Sequence, residues 1–277
     1  MRSIRQGGVA VVLAMGVVAL AAIAAAAMLA LQSTSSRRAE LGAEHVQAQA
    51  LVQAGVDWAR ALLYDDRRLS SVDHLGEPWA MRLPPVPVDN GELAGQIDDQ
   101  QGAFNLNNVF SGAKQNPVQV LQLRRLLQIL GLPDALADAY LAAGRPLVDI
   151  AELAFIPGFD QAVRARLRPF ISALPRFTAV NVNTASPEVL SAVIEGLDLD
   201  AARELVAQRS RAYFRNRAEF LARLPAGLTA GGNDVATSSD FFQAWVRVTI
   251  GAAQARGSAL LERSSSGWPA VVWRKYP

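Results

Sequence analysis

Two oxygen-rich turns hold the side chains best suited to chemistry: Asp98-Asp99-Gln100-Gln101, and Gly231-Gly232-Asn233-Asp234 running on to Ser238-Ser239-Asp240. Carboxylate and amide oxygens are the hard ligands that calcium takes, about six to eight at a time, but neither turn repeats the spacing of an EF-hand loop. Asn233, Asp234 and Asp240 are the candidate calcium ligands. The alternative is a pair of solvated turns, built from residues that favour turns in any case.

Other chemistry is poorly supplied. The two histidines, His45 and His74, form neither a His-x-x-His nor a His-Glu-x-x-His pair. Asp57, Asp65 and Asp66 are expected to be a solvated helix end rather than a paired acid and base. There is no Gly-x-Ser-x-Gly nucleophile turn and no phosphate-binding Gly-x-x-x-x-Gly-Lys loop. The absence of Cys excludes disulfides, thiolate metal ligands and thiol catalysis. The formal charge is only +2, and the only lysines are Lys114 and Lys275, so no basic run marks a nucleic-acid stripe. No catalytic residue is predicted.

The elements that must position the two turns are strands. Glu92-Leu93-Ala94-Gly95-Gln96-Ile97-Asp98 alternates apolar and polar residues within a sheet signal covering 91 to 104. Phe241 to Ile250, Ser258 to Glu262 and Ala270 to Arg274 read as an antiparallel meander divided at Ala255-Arg256-Gly257 and Ser264-Ser265-Ser266-Gly267. Trp245, Trp268 and Trp273 are expected to pack in its core and edge. Pro84-Pro85-Val86-Pro87 is expected to be an extended connector.

Between these strand groups, residues 112 to 235 are dense in helix start and stop signals. Pro117 opens a helix ending before Gly131, Pro133 opens another ending before Gly144, and Ser186-Pro187-Glu188 opens a third. Asp149 with Glu152 and Asn216 with Glu219 repeat a capping-box spacing about 65 residues apart. The block is predicted to be an all-helical insert in a strand-based domain.

Residues 9 to 31 form an uncharged apolar run. At about 1.5 Å per residue it reaches about 35 Å, enough to cross a hydrocarbon core of about 30 Å. Arg2 and Arg5 flank its start, which leaves the amino terminus cytoplasmic by the positive-inside rule. From Thr34 to Leu63 there is no Pro, and Leu41, Ala48, Val52, Gly55, Ala59 and Leu62 recur at three- and four-residue steps. A single helix is predicted from residue 9 to about 63, apolar all round at first and striped afterwards.

A basic leader ending at Gly8, an adjoining apolar helix, an amphipathic continuation and a terminal antiparallel sheet resemble the type IV pilin and pseudopilin class. Within it, Val72-Asp73-His74-Leu75-Gly76-Glu77-Pro78-Trp79, Gln101 to Asn108, and Val180-Asn181-Val182-Asn183-Thr184-Ala185-Ser186-Pro187 resemble recurring stretches of the K-type minor pseudopilins of type II secretion systems, the GspK family. The resemblance implies an α+β fold: a long transmembrane and amphipathic helix on a pilin-like sheet, with an all-helical insert of SAM-like or helix-hairpin-helix-like type. The implied division is leader 1–8, membrane helix 9–31, pilin-like part 32–111, insert 112–235 and carboxyl-terminal sheet 236–277.

The resemblance also implies cutting by prepilin peptidase between Gly8 and Val9, with methylation of the new terminus. Pilins usually carry Glu at the fifth mature position, where this chain has Leu13. Without that acid to compensate a neighbour's amino-terminal charge, a place at the fibre tip is expected. The implied location is a Gram-negative inner membrane, crossed once, with the body periplasmic. Implied partners are I-type and J-type minor pseudopilins and other pseudopilins of the fibre, with secreted cargo or the secretin as further contacts. Calcium is common in pseudopilin loops, which favours the site at Asn233, Asp234 and Asp240. The rival function is a membrane-anchored periplasmic helix-hairpin-helix protein binding nucleic acid, but Glu195-Gly196-Leu197-Asp198-Leu199-Asp200 would set three carboxylates where phosphate must approach. No nucleic-acid partner is expected.

Overall fold

A computed structural model describes residues 7–112, 114–263 and 267–276. Arg2 and Arg5 of the leader and the serines of the Ser264-to-Ser266 divider lie outside the described residues.

The first element is one helix, α1 (Gly7–Leu69), of 63 residues and about 95 Å. It runs six residues further than the apolar stripe alone predicts. Among the described residues nothing outside the helix covers its amino-terminal half: Leu13, Leu20 and Leu29 are each about two-thirds exposed. Its carboxyl-terminal half is seated through Ala48, Val52, Val56, Ala59 and Leu63, all nearly inaccessible, at steps of four and three that keep one helix face inward. Leu41 and Trp58 stay about half exposed beside that stripe.

The seat is a five-stranded antiparallel sheet in the order β1-β2-β9-β10-β11, formed by β1 (Leu83–Val88), β2 (Gly91–Asp99), β9 (Phe241–Ile250), β10 (Ala253–Glu262) and β11 (Ala270–Lys275). Short pairings fill the interval: β3 (Phe104–Asn105) with β6 (Ile171–Ser172), β4 (Phe110–Ser111) with β5 (Lys114–Gln115), and β7 (Val180–Asn181) with β8 (Val235–Ala236). Alternation on β9 sends Phe242, Ala244, Val246, Val248 and Ile250 toward α1. Close approach is helped by glycine: a Cβ on Gly55 would lie 2.8 Å from Val246 Cγ1, and one on Gly257 would lie 2.4 Å from Val52 Cγ1.

Three sheet expectations change. The Pro84-to-Pro87 run is not a connector but edge strand β1, where the missing N–H groups fall on the unpaired side or at the irregularity between Leu83 and Val86. The 91–104 signal breaks at Asp99, and Phe104 pairs instead with Ile171. Ala255-Arg256-Gly257 lies inside β10, and the turn is at Gly251-Ala252, with Gly251 at φ +51°. Glu44 of α1 closes that turn by accepting from the Ala252 amide at 3.1 Å.

The helical unit contains α2 (Pro117–Ile129), α3 (Ala135–Ala143), α4 (Gln161–Leu167), α5 (Pro187–Val193), α6 (Leu199–Arg211) and α7 (Arg217–Leu221). Each start carries its own reason. Asn116, Asp160, Ser186, Asp198 and Asn216 accept amides of the first turn, whereas α3 starts without a side-chain cap and stops at left-handed Gly144. The expected capping box forms at Asp149 and Glu152, on a 3₁₀ turn over Ile150–Phe155. In its echo Glu219 reaches the Arg215 amide rather than that of Asn216. One core serves the unit and includes Phe104, Leu106 and Val109, so its packing begins at 104, not 112.

Candidate functional site, a buried polar seam

Where the helical unit meets the sheet body, the chain buries a row of polar side chains beside a small apolar cluster of Leu174, Phe241 and Leu260. The three recurring stretches converge there. Asn105, Asn107, Asn108, Asn181 and Asn183 are all nearly inaccessible. A primary amide can both donate and accept, so it can close on a distant peptide group as a second strand would. Asn183 accepts from the Phe214 amide at 2.8 Å and donates to the Phe214 carbonyl at 2.9 Å. Asn108 holds Thr178 in the same way, at 3.1 and 2.7 Å, and Asn107 holds Leu147 at 2.8 and 2.8 Å. Asn105 accepts from the Leu174 amide and donates to the Arg176 carbonyl.

Asn181 links this layer to the sheet body, donating to the Asp73 carbonyl at 3.1 Å and to Asp99 at 3.0 Å. Asp99 also accepts from Thr184 Oγ1 at 2.6 Å, Ser239 Oγ at 2.7 Å and the Gln101 amide at 2.8 Å. The two oxygen-rich turns thus meet: Ser239 bonds Asp99, and the Asp240 amide donates to Gln101 Oε1 at 2.7 Å. Burial pushes the Asp99 carboxyl up to about 6, against the pull of the Thr184 and Ser239 hydroxyls.

Behind them is Arg263, 1% exposed at the end of β10. It donates to Asp66 at 2.6 Å, to both oxygens of Asp73 at 2.6 Å and to the Ser239 carbonyl at 2.8 Å, and its guanidinium stands 4.6 Å from the Phe242 ring centroid. Glu77 accepts from Trp79 Nε1 at 2.8 Å and from the His74 amide at 2.9 Å. Oxygens of Asp66, Asp73 and Glu77 lie within 4.8 Å of one another. Burial, then the nearby Glu77, pushes Asp66 up to about 6, while Arg263 opposes the shift. Asp66 is therefore not part of a solvated helix end. It is the α1 contribution to a buried lock that also holds the 73–79 turn and β10. A divalent cation accepts that carboxylate spacing, but Arg263 already engages two of the three groups.

The sequence-predicted ligands are elsewhere. Asn233 is exposed; Asp234 Oδ1 accepts from Gln119 at 3.1 Å; Asp240 pairs with Arg176 at 2.8 Å. The two carboxylates have separate partners, so calcium would require Asp240 to leave Arg176. His45 bonds Gln49, and His74 stacks on Tyr213 at 3.9 Å between centroids. Leu13 lies on the bare half of α1, and Gly8 and Val9 fall within the same helix.

The helix-hairpin-helix turn at Gly196 has the left-handed φ of +80°. The Asp198 carboxylate already fills the α6 amino terminus, accepting the Ala201 amide at 2.8 Å where phosphate would sit. Arg209 is turned inward to the Val182 carbonyl, and burial lowers its pKa to about 10. Neither feature offers a grip for nucleic acid. Sequence reasoning missed the lock because Asp66 and Arg263 are 197 positions apart, and the Glu262-Arg263 pair after the apolar run Ala259-Leu260-Leu261 reads as an ordinary solvated strand end.

A bare apolar half-helix, its continuation on an antiparallel sheet, and a helical unit locked to that sheet define a pilin-like subunit with an inserted helical domain. Two family models described as type II secretion system protein K match residues 180–238 and 135–176. Type II secretion system protein K of Pseudomonas aeruginosa is 33% identical over 97% of this chain and 92% of its own, and that of Klebsiella pneumoniae 28% over 98% and 97%. The chain belongs to the type II secretion system protein K family, a structural component of secretion machinery rather than an enzyme. The fold is also that of a chain in the crystal structure of the GspK-GspI-GspJ complex of enterotoxigenic Escherichia coli, with TM-score 0.75, 22% identity, and coverage of 87% of this chain and 99% of that one.

Proposed function

We propose that the protein is the tip subunit of the pseudopilus, seated with I-type and J-type minor pseudopilins and helping to start fibre assembly. The observation that carries this is the bare half of α1: an apolar rod with Leu13 rather than an acid at the fifth mature position, on a body too bulky to repeat along a thin shaft. Before assembly that rod spans the inner membrane once, amino terminus cytoplasmic and body periplasmic. During assembly, packing against other pseudopilin helices replaces its lipid contacts. Prepilin peptidase cuts between Gly8 and Val9. Secreted cargo and the secretin are further contacts in this reading.

The test is co-expression with the peptidase and the I-type and J-type subunits. Mass spectrometry should give a methylated Val9 terminus, and the three subunits should co-purify at 1:1:1. Recovery of this chain as the repeating shaft component would overturn the tip reading. Calcium at Asn233, Asp234 and Asp240 is tested separately by chelation: a melting temperature unchanged by EGTA removes the ion from the account.

A further inference from the structure

The sheet face turned away from α1 has two surroundings. At one end Phe241 and Leu260, with Trp273 beside them, pack on Leu174 of the helical unit. Toward the β9–β10 turn the face opens into a trough of about 520 Å³, lined by Arg82, Gln96, Trp245, Arg247, Arg256 and Ser258 among others. Arg247 and Arg256 are register partners on adjacent strands, and both are exposed. Like charges directly opposite on antiparallel strands repel. Among the described residues, no ion pair includes Arg82, Arg247 or Arg256.

The next row contains Trp245, flanked in register by Gln96 on β2 and Ser258 on β10. An apolar ring and two hydrogen-bonding groups therefore adjoin the guanidinium pair. Ala94, opposite Arg247 on the other side, leaves room above the sheet. The nearby edge, β1, carries Pro84, Pro85 and Pro87, which resist extension of the sheet by a further strand. An incoming chain must therefore lie on the face rather than along the edge.

We propose that this trough docks an extended acidic segment of another protein, its carboxylates bridging Arg247 and Arg256 and an apolar side chain resting on Trp245. Charge complementarity selects the partner, because one carboxylate between the two guanidiniums accepts hydrogen bonds from both and turns a repulsive pair into two attractive contacts. Trp245 separates a polypeptide from a purely polyanionic ligand, since only the former brings apolar side chains to the ring. The site lies outside the seam and does not depend on the tip assignment; its failure leaves that assignment standing.

The experiment uses the full chain in detergent and a fluorescein-labelled ten-residue peptide repeating Glu-Gly-Val-Gly, which puts Glu and Val in turn on one face of an extended chain, with binding followed by anisotropy. The Glu peptide should bind at least tenfold tighter than a Gln-for-Glu version, and W245A should weaken it about fivefold or more. R247Q with R256Q should weaken it at least tenfold without lowering the melting temperature. R256E gives an independent readout: the acid pairs with Arg247 inside the chain, so binding should be lost while the melting temperature holds or rises. Unchanged peptide affinity in R256E overturns the proposal. So does heparin or duplex DNA binding tighter than the Glu peptide and insensitive to W245A, which would make the trough a general polyanion surface.

Discussion

The two halves of α1 obey opposite rules. In the first, from Ala10 to Leu31, every side chain is apolar and none is covered by the other described residues; in the second, the last turns hold Asp66 buried against a buried arginine. A covering for the first half must come from lipid or from other helices, whose contacts are interchangeable. The second half has one permitted partner arrangement, because a charge taken out of water must meet its counter-charge at hydrogen-bond distance. The membrane half is thus suited to changing neighbours, and the seam half to keeping its own.

The sharpest way to break that contrast is to remove the cation from the seam. Arg263→Ala leaves Asp66 and Asp73 without their counter-ion, and a loss of about 3–5 kcal/mol is expected for stranding buried charges. Urea unfolding followed by tryptophan fluorescence should show it, whereas an apolar exchange in the membrane half, Leu20→Ile, should leave the midpoint within error. Equal, small effects at both positions would show that the seam holds nothing.

Acidity tests the same region without mutation. The folded-state pKa values of Asp66 and Asp99 are raised to about 6 from about 3.8, so their stabilising contribution is full below about pH 4 and lost as the pH rises through about 6. Asp57, its pKa lowered chiefly by the Gln53 hydrogen bond, and Glu152, lowered chiefly by Arg145, act in the other sense and lose their contribution as the pH falls below about 4. Stability should therefore peak near pH 4–5 and decline toward pH 7 by up to about 3 kcal/mol for each of the two raised carboxyls. Asp66→Asn should flatten that decline; an undiminished slope in the variant would assign the titration to other groups.

Much of this architecture was readable residue by residue, and the boundary of legibility is physical. The α1 rod, β9, the helix starts at Pro117 and Ser186, the capping box at Asp149, and the family stretches all rest on local periodicity or spacing, which a single chain displays. The edge strand at Pro84 to Pro87 was missed because proline composition argues against strand unless the edge position is known. The β9–β10 turn was misplaced because Ala255-Arg256-Gly257 has turn composition, while Gly257 is there to let Val52 approach. The asparagines were visible as a pattern but not as clasps, since each acts on a peptide group between 31 and 108 positions away.

The clasps give the next largest effect. Asn183→Ala strands both the amide and the carbonyl of Phe214 in a dry site, with a cost of about 2–3 kcal/mol. Asn183→Asp should recover little, because it keeps the acceptor for the Phe214 amide but brings a charge to the Phe214 carbonyl. Hydrogen exchange at the Phe214 amide is the direct measurement: accelerated exchange in the variant, with the β9 amides still protected, places the opening at the seam rather than across the molecule.

Least sensitive should be an ion pair outside the seam. Arg203 and Asp200 of α6 meet at 2.7 Å, a shorter contact than several in the seam, but Asp200 is 90% exposed and Arg203 58%. Water and salt screen such a pair, and holding two mobile side chains together costs entropy, so Asp200→Asn should shift stability by less than about 0.5 kcal/mol. The Arg263 pairs are similar in length and differ only in surroundings. If Asp200→Asn and Arg263→Ala proved equally mild, contact distance rather than burial would be setting the energetics, and the distinction drawn between the two halves of α1 would lose its cause.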